Sequence, residues 1–214
     1  MLSLRMMVKA LMFDLDNTLY SERTGLEFRV LERINAFAGE FLGLSPAEAN
    51  LRRREGVNRF GTTLEWLIFE QGFNDPERYF AYIHPEDEID CLSADPRLAL
   101  LLDSFPMDKI ILTNSPLEHA ERVLDALGVK NRFSAIYDIR FNSLVGKPHP
   151  RSYLKALEAS GLDVETTLFV DDLPRYVRGY QALGGRGILK DEGNRFGGQG
   201  FERIEDLSEL SSIL

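Results

Sequence analysis

The sequence VKALMFDLDNT, at residues 8–18, decides the fold of this chain of 214 residues. A short apolar run that ends in carboxylates is typical of a buried strand in a parallel sheet, where polar residues gather at the carboxyl end. We therefore predict a strand over Val8–Leu15. Similar apolar runs occupy Lys109–Leu112, Thr167–Val170 and, in shorter form, Gly187–Leu189. These four runs are the expected strands of one sheet.

Helical patterns alternate with these strands. Pro116–Leu127, about Pro150–Ser160 and Leu173–Leu183 have the apolar spacing of helices, and a glycine, the usual residue after a helix end, follows each of them. Strands that alternate with helices indicate an α/β fold. We predict a doubly wound, Rossmann-like parallel sheet.

The segment between the first two strands contains only helical patterns. Apolar residues recur at steps of three and four from Leu26 to Phe41, and further helix starts follow. We predict a core domain of residues 1–20 and 93–214, with a helical cap domain of residues 21–92 inserted after the first strand. Such a cap lies over the carboxyl edge of the sheet, where ligands of parallel sheets bind, and can act as a lid.

Charge and composition exclude several classes of protein. The chain has 34 acidic and 25 basic residues, hence a net charge of −9, which argues against binding to nucleic-acid polymers or anionic membranes. Arg5 and Lys9 interrupt the apolar N-terminal residues, so we expect no secretory signal and no membrane span. The single cysteine, Cys91, cannot form an internal disulfide and fits a small, partly buried apolar role. We expect a soluble, cytoplasmic protein.

Polar residues stand at the ends of three predicted strands and in the sequence GKPHP at residues 146–150. They form one candidate set: Asp14, Asp16, Thr113, Asn114, Lys147, Asp171 and Asp172. If the strands are adjacent and parallel, four carboxylates converge at one edge, and they need compensation by a divalent cation and a lysine. Magnesium suits a set of oxygen ligands, whereas the absence of cysteine and histidine from the set argues against zinc.

The motifs DLDNTLY, TNS, GKPHP and FVDD, in this order and with a helical insert after the first, resemble the four signature motifs of the haloacid dehalogenase superfamily of aspartate-nucleophile phosphatases. The resemblance extends from Leu11 to Gly184. It implies a role for each residue of the set: Asp14 as the nucleophile that forms an aspartyl-phosphate, Asp16 as general acid and then base, Thr113 and Asn114 as phosphate ligands, Lys147 as a phosphate ligand that offsets negative charge, and Asp14, the backbone carbonyl of Asp16, Asp171 and Asp172 as the Mg²⁺ site.

Three details narrow the resemblance. Dehalogenases of the superfamily lack the second aspartate of the first motif, so Asp16 favours phosphate ester chemistry. Asn17 and Thr18 stand where sugar-phosphate mutases have glycine and valine. Tyr176 stands where the third motif commonly has asparagine, which leaves the residues around the metal ligands open.

The cap sequence GVNRFGTTLEWL, at residues 56–67, resembles the pyrimidine 5′-nucleotidase branch. That resemblance implies that Asn58, Phe60, Thr62 and Thr63 face the base or ribose of a nucleoside monophosphate such as UMP or CMP. In the alternative interpretation, Phe60 and Trp66 belong to the core of the cap and Gly61 only breaks a helix.

The function predicted from these motifs is a magnesium-dependent phosphomonoesterase that acts on a small phosphorylated metabolite, a nucleoside 5′-monophosphate. One alternative is a phosphatase for phosphoglycolate or a sugar phosphate, and another is a catalytically silent binding or regulatory protein of the same fold. The three histidines, His84, His119 and His149, lack metal-ligand spacing, and we predict surface or loop positions for them.

Overall fold

The computed structural model describes residues 7–214 and contains a six-stranded sheet in the order β3-β2-β1-β4-β5-β6. All five strand pairs are parallel. The strands are β1 (Ala10–Phe13), β2 (Asp108–Leu112), β3 (Ala135–Tyr137), β4 (Thr167–Asp171), β5 (Arg186–Lys190) and β6 (Glu202–Ile204). The predicted α/β fold with a doubly wound parallel sheet is confirmed.

The helices of the described residues fall into two groups. Four lie between β1 and β2, within residues 21–92: α1 (Leu26–Leu42), α2 (Pro46–Phe60), α3 (Thr63–Phe69) and α4 (Pro76–Ile83). The others flank the sheet: α5 (Pro96–Ser104), α6 (Leu117–Leu127), α7 (Pro150–Ser160), α8 (Pro174–Gln181) and α9 (Leu210–Ile213). The first group forms the helical insert that the sequence predicts.

The register of the central strands brings their carboxyl ends to one level. Phe13 in β1 pairs with Ile111 in β2 and with Val170 in β4. All four residues of β1 are completely buried, which explains its unbroken apolar sequence, since helices cover both faces of the sheet. The residues that follow these strands therefore meet at a single edge.

The insert has a hydrophobic core of its own. Phe37, Trp66 and Phe80 belong to a buried cluster that is separate from the two clusters on the faces of the sheet. Gly56 is required for this packing, because a Cβ at that position would lie 2.3 Å from Cγ of Trp66. Ile139, which follows β3, also joins the cluster, so the insert packs directly on the core.

The structure adds elements and corrects one position. The strands β3 and β6 were not predicted, because three residues at a sheet edge leave too little pattern to recognise. Cys91 is exposed rather than partly buried, because the segment that returns from the insert to the core runs along the surface. Within residues 7–214, no helix is both long enough and apolar enough to cross a bilayer.

Candidate active site

A lysine and two carboxylates occupy the centre of the carboxyl edge. The Nζ of Lys147 lies 2.6 Å from Oδ1 of Asp14, which follows β1, and 2.7 Å from Oδ2 of Asp171, at the end of β4. The Lys147 side chain is completely buried. Burial alone would lower the pKa of Lys147, but Asp14 and Asp171 outweigh it and raise that pKa. The lysine is therefore a fixed positive charge beside the predicted nucleophile.

A third carboxylate leaves this group short of positive charge. Ligand oxygens of Asp14, Asp171 and Asp172 lie within 4.8 Å of one another, and all three residues are buried. Burial, opposed in part by Lys147, raises the pKa of Asp14 to about 7; burial and the neighbouring Asp171 carboxylate raise the pKa of Asp172 well above its ordinary value. One lysine cannot balance three carboxylates. The cluster therefore fits a divalent cation that prefers oxygen ligands.

The residues after β2 hold the loop that carries Lys147. Asn114 accepts a hydrogen bond from the backbone N–H of Lys147 at 2.7 Å and donates to its carbonyl at 3.0 Å. Gly146 permits this contact, because a Cβ there would lie 2.5 Å from Oδ1 of Asn114. Tyr176 extends the arrangement, since its hydroxyl accepts from Asn114 at 3.1 Å. Tyr176, which stands where the third motif commonly has asparagine, thus supports the lysine loop through Asn114.

Asp16 has a separate environment, although both it and Asp14 line the same cavity. Its Oδ1 accepts from the Tyr20 hydroxyl at 2.7 Å and lies 2.8 Å from Nε2 of His119, and its Oδ2 accepts from the Ser115 hydroxyl at 2.8 Å. Burial favours the neutral acid, but His119 and the three hydrogen bonds outweigh it and lower the pKa of Asp16 to about 2. The two motif aspartates therefore differ. The pKa of Asp14 lies near neutral pH, whereas Asp16 without a ligand is ionised and accepts hydrogen bonds.

The family model for haloacid dehalogenase-like hydrolases matches residues 8–184, which include the whole of this edge and the insert. The chain belongs to this family. Among curated proteins, it is 26% identical to "Phosphate metabolism protein 8" of Saccharomyces cerevisiae, over 96% of this chain and 72% of that protein. It is also 30% identical to "Phosphatase MT3486" of Mycobacterium tuberculosis, over 49% of this chain and 46% of that protein.

A solved structure shows the same fold. The HAD phosphatase from Thermococcus onnurineus superposes with a TM-score of 0.66 at 20% identity, and the match covers 96% of this chain and 97% of that one. Because the match covers 96% of this chain, the superposition includes both the sheet and the insert, and the helical insert has a counterpart in that structure.

The insert of the hydrolase lies over the edge, and the two together line an open cavity of about 320 Å³, within the range of small-molecule sites. Of the four predicted cap residues, Thr62 and Thr63 line it. Asn58 and Phe60 do not line it, contrary to the prediction. Asn58 is exposed, and Phe60 packs against the hydrophobic cluster of the insert. The alternative interpretation, in which Phe60 belongs to the cap core, describes its position.

Glu27 and Arg53, both from the insert, are among the cavity-lining side chains that were not predicted. Glu27, in the first turn of α1, lines the cavity, and no hydrogen bond or ion pair holds its carboxylate among residues 7–214. Arg53, in α2, donates from Nε to Asn35 at 2.7 Å, and no carboxylate in the described part of the chain pairs with its guanidinium. Burial and the nearby Asp16 raise the pKa of Glu27 to about 8. Both side chains are available to a ligand.

The prediction for two of the histidines is wrong. His84 and His119 are 7% and 0% exposed, and their rings lie 4.1 Å apart between the insert and the core. His149 does occupy an exposed loop position, where it caps α7. A usable signal existed for His119: it lies in the first turn of the helix that follows TNS, and that turn faces the carboxyl edge.

Proposed function

We propose that this hydrolase is a magnesium-dependent phosphomonoesterase that transfers the phosphoryl group first to Asp14 and then to water. The observation that carries the proposal is the buried Asp14 carboxylate, with Lys147 at 2.6 Å on one side and a cluster of carboxylates short of positive charge on the other. The family supports a hydrolase, and a curated relative named as a phosphatase supports phosphoester hydrolysis.

The side chains at the edge match the needs of this chemistry. A carboxylate nucleophile divides hydrolysis into two displacements through a mixed anhydride. Lys147 offsets the repulsion between the Asp14 anion and the incoming phosphate. Asp16 is the group that exchanges a proton with the leaving oxygen and then with water, a contribution that is typically ~10²–10⁴-fold in rate. Thr113 and the backbone amide of Asn114 supply short donors for the phosphate oxygens.

Magnesium fits the acidic cluster, and we propose that Asp14, Asp172 and the backbone carbonyl of Asp16 hold it, with Asp171 beside them. Bound there, the ion would neutralise negative charge on the transferred phosphoryl group. Asp171 also accepts from Lys147 and from the backbone N–H of Leu173 at 2.8 Å. Its proposed task is therefore to hold the lysine and the turn after β4.

For the substrate we propose a nucleoside 5′-monophosphate. The cavity over the edge combines the aromatic residues Tyr79 and Phe80 with the side chains of Glu27 and Arg53. An acidic group suits the hydroxyls of a ribose, and a guanidinium suits the carbonyls of a base. Two further threonines, Thr62 and Thr63, add short polar groups to the lining, but the proposal does not depend on them.

A second candidate substrate is a phosphate ester whose leaving group carries a carboxylate, as in phosphoglycolate. The guanidinium of Arg53 favours it, because no carboxylate of residues 7–214 pairs with this group and arginine binds carboxylates through two parallel hydrogen bonds. A catalytically silent protein is the weakest alternative, since each side chain that the chemistry requires is present at the edge.

Phosphate release separates these candidates. The enzyme is assayed with magnesium on UMP, CMP, AMP, phosphoglycolate, a hexose phosphate and p-nitrophenyl phosphate, with EDTA and Asp14→Asn as negative controls. We expect the nucleotides to give the highest kcat/KM. A higher value for phosphoglycolate would replace the nucleotide proposal with the second candidate. Turnover by Asp14→Asn at the wild-type rate would refute the aspartyl-phosphate route.

A matched pair of cap variants tests the role of Arg53. Arg52 and Arg53 are neighbours in α2, but Arg52 is exposed and only Arg53 lines the cavity. Loss of a hydrogen bond to a charged group costs about 1.5–3 kcal/mol, so Arg53→Met should raise KM for the nucleotide roughly tenfold or more. Arg52→Met should leave KM unchanged. Equal effects of the two variants would place the leaving group elsewhere in the cavity.

A further inference from the structure

The insert and the core share a buried polar cluster that the proposed chemistry does not use. It joins the insert to Asp16, and its members are Arg33, His84, Glu88, His119 and Arg122. Arg33 lies in α1 and His84 ends α4, whereas His119 and Arg122 lie in α6. Glu88 lies between them, on the segment that returns from the insert to the core.

Glu88 is the centre of the cluster. Its side chain is completely buried, and Nδ1 of His84 and Nδ1 of His119 lie 2.8 and 2.6 Å from its two oxygens. Arg122 donates to one of these oxygens at 2.7 Å, and Arg33 lies 3.5 Å from the other. Two histidines and a glutamate are the ligand types of a transition metal, but here both Nδ1 atoms are engaged and two guanidinium groups add positive charge. The arrangement therefore fits a hydrogen-bonded relay better than a metal site.

His119 transmits this arrangement to Asp16. Its Nδ1 faces Glu88 and its Nε2 faces Oδ1 of Asp16 at 2.8 Å, so each ring nitrogen meets a carboxylate oxygen. A carboxylate only accepts hydrogen bonds, so both ring nitrogens carry protons and the ring is a cation. The ring thus has one orientation, fixed from both ends.

The contacts also distinguish the two oxygens of Asp16. A carboxylate offers about four lone-pair positions, two on each oxygen. Oδ1 has two donors, Tyr20 at 2.7 Å and His119 at 2.8 Å, whereas Oδ2 has one, Ser115 at 2.8 Å. The free lone pair therefore belongs to Oδ2.

We propose that His119 is a positioning residue that fixes the Asp16 carboxylate through Oδ1, so that Oδ2 is the oxygen that exchanges protons during phosphate ester hydrolysis. The proposal rests on the proposed phosphomonoesterase function. In the first step, Oδ2 takes up a proton from solvent on its free lone pair and passes it to the ester oxygen as the P–O bond breaks and the bond from Asp14 to phosphorus forms. In the second, water attacks phosphorus, its proton moves to Oδ2, and the Asp14 carboxylate is released.

Two substitutions at position 119 separate positioning from packing. The amide nitrogen of glutamine can occupy the place of Nε2 and donate to Asp16, whereas that of asparagine corresponds to Nδ1 and reaches only toward Glu88. We measure kcat on p-nitrophenyl phosphate, whose leaving group needs no proton, and on an alkyl phosphate, which does. His119→Asn should lower kcat on the alkyl ester at least ~10-fold more than on the aryl ester, a fraction of the usual contribution of general acid catalysis. His119→Gln should restore most of that ratio.

Two further variants keep the test decisive. Arg122→Gln removes a donor from Glu88 without touching Asp16, so it should lower Tm and leave the ratio of alkyl to aryl turnover unchanged. Glu88→Gln should lower the ratio of alkyl to aryl turnover as His119→Asn does, by a smaller factor. If His119→Asn does not fold, the ratio measured for Glu88→Gln tests the positioning role in its place. Equal losses on both esters, or identical behaviour of the asparagine and glutamine variants, would overturn the proposal.

A readout without turnover separates this inference from the proposed function. Imidazole ¹⁵N NMR of the wild-type protein should show two protonated nitrogens on His119, and Asp16→Asn should shift the Nε2–H resonance while Arg122→Gln does not. If the spectrum shows these shifts but the wild-type protein hydrolyses no ester, the proposed phosphatase function is refuted and the contact between His119 and Asp16 is supported. If the wild-type protein hydrolyses esters but Asp16→Asn does not shift the Nε2–H resonance of His119, the positioning role is refuted.

Discussion

Removal of magnesium should make the stability of the protein depend on pH in a defined direction. Burial, opposed in part by Lys147, raises the pKa of Asp14 from 3.8 to about 7 in the folded protein. Between these values the folded state binds more protons than the unfolded state, so the free energy of unfolding falls as pH rises through this range. Magnesium should offset the negative charge that appears above about pH 7. Its stabilising effect should therefore increase with pH.

The size of the effect follows from the same pKa. One proton retained between about pH 5.5 and about pH 7 corresponds to ~2 kcal/mol. For a chain of this size, that free energy is a change in Tm of roughly 4–8 °C. The rise in Tm caused by magnesium should thus be larger by that amount at about pH 8 than at about pH 5.5.

Thermal unfolding with saturating magnesium and with EDTA, at both pH values, measures this difference. Asp172→Asn should abolish the magnesium effect, because it removes a proposed ligand. Glu65→Gln is the matched control: burial raises the pKa of Glu65 to about 7 too, but this residue lies in the insert and outside the carboxylate cluster. That variant should change the metal-free pH dependence and keep the magnesium difference. A magnesium effect that is equal at both pH values, or larger at low pH, would refute the proposed site.

Three other outcomes are expected. Asp14→Asn should reduce phosphate release at least ~10³-fold, since a lost nucleophile removes most of the catalysis, while isothermal titration still detects phosphate binding. Glu27→Gln should raise KM for a nucleoside monophosphate several-fold and leave KM for p-nitrophenyl phosphate unchanged; equal changes would place Glu27 outside the leaving-group site. Gly56→Ala should destabilise the insert by about 1–3 kcal/mol, because its Cβ meets Cγ of Trp66 at 2.3 Å, and calorimetry measures the loss.

The parallel core could be predicted because each of its central strands is recognisable from its own short stretch of sequence. Each central strand is a short apolar run, and each ends in the polar residues that carry the chemistry, as Asp14 follows β1 and Asp171 ends β4. Adjacent parallel strands then bring these ends together without further knowledge of the fold. The position of Lys147 was indicated only by the resemblance of GKPHP to a family motif, because a single lysine before a helix is more often exposed to solvent.

The residues around Asp16 and in the cavity could not be predicted in the same way. His119 meets Glu88 and His84 only after the insert has folded back on α6, and sequence separations of 31 and 35 residues hide that contact. Arg53 is the second of three consecutive arginines, and such a charge run is more typical of a solvated helix face. The helix places Arg53 toward the cavity and its two neighbours toward solvent, which depends on how α2 packs against α1.

The environment of Asp16 decides between the two kinds of chemistry that this fold could support. A nucleophilic carboxylate and a lysine, such as Asp14 and Lys147, would serve the displacement of a halide equally well. A halide leaves as a stable anion and needs no proton, whereas an alkoxide leaving group does. A partly buried aspartate with three dedicated hydrogen-bond donors would therefore be superfluous in a dehalogenase. The same holds for the surplus of carboxyl groups, because burial disfavours the ionisation of three adjacent carboxyl groups unless a cation binds beside them. Both features make sense together when the substrate is a phosphate ester.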